Sequence, residues 1–99
     1  MEFIFFTAAD QLLFSRSDME EGHWIQHEMQ VTAVFPFLES KIITRGMRIG
    51  FRDPATNNLE VFEIRNVQNI EPDHYQQITA EHIAVSELSD EHINTTEIT

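Results

Sequence analysis

The side chains best able to do chemistry in this 99-residue chain are five histidines and seventeen acids, with six bases and no cysteine among them. His23 and His27 stand four apart in the run His23-Trp24-Ile25-Gln26-His27. On a helix that spacing sets two imidazoles on one face, where they can bind zinc, but the glutamate of a zinc-protease motif is missing between them. On a strand the same two residues lie roughly 13 Å apart, too far to share an ion. Glu81-His82 and Asp90-Glu91-His92 put carboxylates beside imidazoles, yet neighbours along a strand point to opposite faces. Ser40 and Ser86 have neither a nucleophile elbow around them nor an arguable base. Gly22, Gly46 and Gly50 are scattered, so no phosphate-cradling loop forms. Seventeen acids can contain a glycosidase-like pair, but a count fixes no geometry. The chain alone therefore reads as non-enzymatic, with no metal, no cofactor and no small-molecule substrate.

The elements that would position these residues are mostly strands. Met47 to Val67 carries a β-hairpin: Met47, Ile49 and Phe51 alternate with Arg48, Gly50 and Arg52, and Leu59 to Val67 is rich in β-branched and aromatic residues. Between them Asp53 can bond its own backbone, Pro54 presets φ, and Asn57 or Asn58 tolerates the left-handed conformation. Gly50 in mid-strand points to a bulge or a close backbone approach. Glu2 to Thr7 and Gln11 to Phe14, around Ala8-Ala9-Asp10, predict an N-terminal hairpin. Ser15 to Gly22 is polar and holds either a helical turn or a loop, with Ser17 or Asp18 as a cap. From Trp24 to Phe35 alternation predicts one long strand with Ile25, His27, Met29, Val31, Ala33 and Phe35 on one face. The rival is a helix over Met19 to Gln30, opposed by the β-formers up to Phe35 and closed by Pro36. Phe37 to Arg45 has room for a helical turn. Asn66 to His74 reads as a connection turning at Pro72-Asp73, and Tyr75 to His82 as a strand pairing with Leu59 to Val67 in a meander. Ile83 to Leu88 either continues it or turns helical. Residues 89–99 read as a frayed tail or linker. The fold class is thus mainly β: an antiparallel barrel or sandwich of about six to seven strands with at most one or two short helical turns, in a single domain over 1–99.

Length bounds the core, since a chain of this size buries only about 60–70% of its unfolded surface. Eight phenylalanines against one tyrosine and one tryptophan put much of that burial in aromatic rings. Without cysteine, folding needs no oxidising compartment. No apolar run approaches the ~18 residues of a membrane span, and Glu2 stands where a leader peptide has a base, so the start reads as mature protein. The formal net charge of −11 repels nucleic-acid phosphates and argues against a DNA-reading role. Five of the six bases, Lys41, Arg45, Arg48, Arg52 and Arg65, lie between residues 41 and 65, and seven acids follow Arg65 with no base. Two readings remain: a soluble acidic domain with a few strand-edge arginines, or a polarised subunit whose Arg45, Arg48, Arg52 and Arg65 meet an acidic neighbour.

One pattern resembles a known family. Gly46-x-x-Ile49-x-Phe51, a turn, Val61-Phe62-Glu63-Ile64 and Val67, then Ile78-Thr79-Ala80-Glu81-His82-Ile83 and Leu88-Ser89-Asp90, is similar to the N-terminal domain of the phage tail hub family. That family includes the prophage endopeptidase tail proteins and tail-associated lysins of siphophages, and it resembles the baseplate hub of contractile tails. The likeness runs from about Trp24 to Asp90, with Phe62, Ile64, Ala80, His82, Ile83 and Leu88 as its core positions.

What the resemblance implies is structural: a β-rich subunit related to tail-tube proteins, assembling as a trimer around a DNA channel at the distal end of the tail, in a virion built in the bacterial cytoplasm. Other tail proteins are the implied partners, and DNA passes without specific binding. Peptidase or cell-wall hydrolase activity belongs to downstream regions in family members that have it, so this chain reads as the N-terminal module of a longer protein. His82 is implied to pack, its imidazole bonding a neighbouring backbone group. Acidic channel walls would keep phosphates from sticking while arginines serve subunit contacts. The alternative is an unrelated small β-barrel that binds a peptide or partner subunit through a strand edge. A third option is a metal-assisted hydrolase using His23 and His27.

Overall fold

A computed structural model of the protein describes residues 1–83. Seven antiparallel strands form one sheet: β1 (Phe3–Phe6), β2 (Leu12–Arg16), β3 (Trp24–His27), β4 (Gln30–Pro36), β5 (Arg48–Arg52), β6 (Leu59–Ile70) and β7 (Tyr75–His82). A single 3-10 turn, Glu39–Lys41, lies between β4 and β5. The order across the sheet is β2-β1-β5-β6-β7-β4-β3. The protein is therefore mainly β, as its alternation predicts.

The two expected hairpins form. In the first, Asp10 takes φ 64° and the Thr7 hydroxyl accepts the backbone N–H groups of Ala9 and Gln11. In the second, Asp53 accepts the N–H of Ala55 at 2.8 Å and Asn57 takes φ 61°. Gly50 marks a close approach: a Cβ there would stand 3.3 Å from both the Glu60 carbonyl oxygen and a Phe6 ring carbon.

Two segments depart from the reading of the sequence. Trp24 to Phe35 is not one strand but the hairpin β3–β4, turned at Glu28-Met29 with Glu28 at φ 58°. The turn changes which side chains face inward. Trp24 pairs with Ala33 and Gln26 with Val31, so Ile25, His27 and Met29 leave the predicted inner face and lie exposed while Val31, Ala33 and Phe35 are buried. Ladder hydrogen bonds on both sides of the turn satisfy the backbone that a longer single strand would leave open. Likewise Asn66 to Ile70 is no connection. It extends β6 along β7, from Asn66 opposite Thr79 to Ile70 opposite Tyr75, after a bulge at Arg65. Ser15 to Gly22 holds no helical turn; β2 runs to Arg16 and a loop follows.

The sheet coils until its far edge meets its other half. Trp24, on edge strand β3, stacks on Phe3 of β1 at 5.1 Å and sits edge-on to Phe51 of β5 and Phe62 of β6. These rings, with Phe5, Phe35, Ile49, Ile64, Ile78 and Ala80, make one core inside the curl. Among the described residues no ladder joins β2 to β3, so the sheet does not close. Arg16 spans part of that gap. Its side chain is fully buried and lies 5.2 Å from the Phe35 ring; it donates to both Asp18 carboxylate oxygens at 2.9 and 2.6 Å, to the Pro36 carbonyl at 2.6 Å and to the Lys41 carbonyl at 3.2 Å. A second buried clamp is Gln76, which accepts from the Ile43 N–H and donates to the Ile43 carbonyl, both at 2.9 Å, and to Asn69 at 3.1 Å.

Candidate functional site

Period-2 alternation puts every second residue of β5, β6 and β7 on the outer face of the curl. There the register sets Arg48 opposite Glu63, and Glu63 opposite Glu81. Two carboxylates directly opposite repel, and Arg65, two residues along from Glu63, lies between them: 2.9 Å from Glu63 and 3.4 Å from Glu81. Arg48 completes the row at 3.9 Å from Glu63 and 2.7 Å from Asp10 of the first turn. Five charges of alternating sign thus run in one row from the first turn across β5, β6 and β7. Arg52 donates to the Asn57 carbonyl at 3.0 Å, and Lys41 to the Ser15 carbonyl at 3.0 Å. Of the four arginines singled out as subunit-contact residues, Arg48, Arg52 and Arg65 are engaged within the chain. Arg45, exposed on the loop before β5, has no hydrogen-bond or ion-pair partner among the described residues.

The expected core positions lie together. Phe62, Ile64 and Ala80 are buried in the main core, with Ile64 paired to Ala80 across β6–β7, while Ile83 packs with Val61 in a smaller cluster. Leu88, Ser86 and the Asp90-Glu91-His92 run fall outside the described residues, as do the predicted continuation beyond Ile83 and the tail. His82 pairs with Phe62 and meets its ring edge-on at 5.2 Å. Its partner is not a backbone group but the Glu60 carboxylate, 2.9 Å from Nε2. A carboxylate only accepts, so Nε2 carries the hydrogen; Nδ1 is buried with no partner among the described residues. Glu81 turns the other way, toward Arg65, so the Glu81-His82 neighbours form no pair.

No catalytic constellation assembles among the described residues. His23 precedes β3 and His27 ends it, and no group of three or more potential metal ligands clusters among the described residues. Ser40 is exposed in the 3-10 turn. What the surface does offer is open backbone and apolar side chains at both sheet edges: Leu12 and Leu13 on β2, Ile25 on β3 and Met29 in its turn are all well exposed. Sequence reading missed these edges, because strand order is not local information; it also put Ile25 and Met29 on the buried face. Among the described residues no helix is long and apolar enough to cross a membrane. Compared with known proteins, the chain matches no family model, no curated protein and no solved structure.

Proposed function

We propose that this chain is a structural subunit, the hub domain at the distal end of a phage or prophage tail tube, working by assembly with copies of itself and other tail proteins around a passage for DNA. The observation that carries this reading is the pair of open, apolar edges on β2 and β3. Edge strands offer unpaired N–H and C=O groups, and monomeric proteins blunt them with charge, proline or cover. Here large aliphatic side chains stand in those places. Two different edges favour head-to-tail contact, which closes into a ring when the rotation between subunits allows. The similarity of the Ala80-Glu81-His82-Ile83 element to tail hub domains supplies the identity of the assembly, and the internal ion-pair row holds the outer face in one shape. The net charge of −11 suits a wall past which phosphates must slide.

Sedimentation of the full chain over a range of concentrations tests this. A trimer is expected, returned to monomer by Leu12→Lys or Ile25→Lys, both of which charge an exposed edge without touching the core. A monomer at every concentration overturns the reading. It would leave the same edges to the alternative occupant, an extended peptide of a partner protein added as an extra strand.

A further inference from the structure

The two rims of the sheet, β2 and β3, follow one another in the chain although they stand at opposite ends of the strand order. The loop that joins them therefore runs from rim to rim, across the seam that no ladder closes. Two side chains hold this loop down. Asp18 takes two hydrogen bonds from the buried Arg16 guanidinium, at 2.9 and 2.6 Å, and Met19 packs half-buried against the main core. Ser17, Glu20, Glu21 and Gly22 are exposed, and among the described residues no hydrogen bond or ion pair ties them to a strand. Loop, Met1 and the rings of Phe3, Trp24 and Phe51 border a space of about 320 Å³. We propose that residues 17–22 form a strap, latched by Asp18 and Met19, that lifts while the sheet stays folded and uncovers the aromatic rings at the seam.

The contacts divide into those the strap gives up and those the sheet keeps. Lifting breaks the Asp18 bonds, wets Met19 and opens the local turn in which the His23 N–H donates to the Glu20 carbonyl at 3.2 Å. Asp18 already keeps a third of its side chain in water, so its release costs less than that of a fully buried carboxylate. The bonds from Arg16 to the Pro36 and Lys41 carbonyls stay, and they keep β2 pinned. Bonding to β4 begins at His23, whose carbonyl accepts from the Val34 N–H at 3.1 Å, and this sets the hinge one residue earlier. Gly22 stands there at φ 88°, a conformation glycine takes without strain. A segment with so few buried contacts opens at a free energy well below that of global unfolding. The strap needs no partner, and it does not rest on the assembly reading.

Glutamyl endopeptidase cuts after Glu20 and Glu21, and mass spectrometry of the digested full chain tells those cuts from all others. Because both latches must open first, the native chain should be cut there at least about tenfold more slowly than a synthetic peptide of residues 15–24. Met19→Ala and Asp18→Asn should each speed the cut about tenfold. Gln76→Leu weakens the clamp on Ile43 and touches nothing in the strap. It should leave the rate unchanged within about twofold, whereas cutting through global unfolding would rise about thirtyfold or more. The urea dependence of the wild-type rate decides the matter even if a variant does not fold: a slope below about half that of global unfolding supports the strap, and a steeper one overturns it. The proposal also fails if the native chain is cut as fast as the peptide, if Gln76→Leu speeds the cut in step with unfolding, or if either latch variant folds and leaves the rate unchanged.

Discussion

Replacing Arg16 by methionine keeps an aliphatic stem in contact with Phe35 and removes only the guanidinium. Four hydrogen bonds go with it, and the Pro36 carbonyl at the end of β4 and the Lys41 carbonyl lose a charged donor. Breaking a buried, fully bonded ion pair costs about 3–5 kcal/mol, most of it from groups left unpaired. The lower end applies here, because Asp18 keeps a third of its side chain in water and can recover solvation. With a urea slope of about 1.5 kcal/mol per molar, the unfolding midpoint should fall by about 2 M. Asp18→Asn leaves Arg16 its two carbonyls and should cost about 1–2 kcal/mol. Unfolding followed by Trp24 emission gives both numbers. The pH dependence supplies an independent check. The hydrogen bond from Arg16, opposed by burial and aided by its charge, holds the Asp18 carboxyl below the usual range. A lowered folded-state value contributes stability above the unfolded value of about 3.9, lost as pH falls through the folded one. The deficit of Arg16→Met relative to wild type should therefore narrow below pH ~4. A loss under about 1 kcal/mol, or a larger loss for Asp18→Asn than for Arg16→Met, would refute the idea that Arg16 staples the open side of the curl.

Gln76→Leu should cost about 2–4 kcal/mol by stranding the buried N–H and carbonyl of Ile43, a drop readable in a thermal melt; near-neutrality would mean water replaces the amide. Glu28→Gly should stabilise by about 1 kcal/mol, raising Tm by about 4–8 °C, because φ 58° strains a residue with a Cβ; a lower Tm would place the β3–β4 turn elsewhere. Gly50→Ala should destabilise by about 1 kcal/mol despite the usual penalty on mid-strand glycine, since its Cβ presses on the Glu60 carbonyl and the Phe6 ring; equilibrium unfolding in urea measures it, and a gain in stability would show that both neighbours give way freely.

Strand content was legible from residue order, because period-2 alternation and turn chemistry are short-range properties. Met47 to Val67 shows both: the inward Ile49 and Phe51 and the Asp53 and Asn57 turn appear in the fold as read. The Glu28-Met29 turn was not legible. It has no glycine, proline or asparagine, and an uninterrupted alternation runs through it, so only the pairing of β3 back along β4 reveals the break. Asn66 to Ile70 reads as loop by composition and becomes strand because β7 lies alongside to accept its hydrogen bonds. The charge row was half visible: the bases and acids could be counted, but their partners depend on which strands are neighbours.

Local order, then, decides which stretches extend, where most of them turn and which aromatic residues want burial. The coil of the sheet, the order that leaves β2 and β3 as its rims, the swap of Ile25 from inside to outside and the burial of Arg16 arise only when segments distant in the chain meet. Each depends on free energy shared between residues such as Phe3 and Trp24, or Arg16 and Pro36, twenty or so positions apart. A periodicity within one segment carries no information about those meetings.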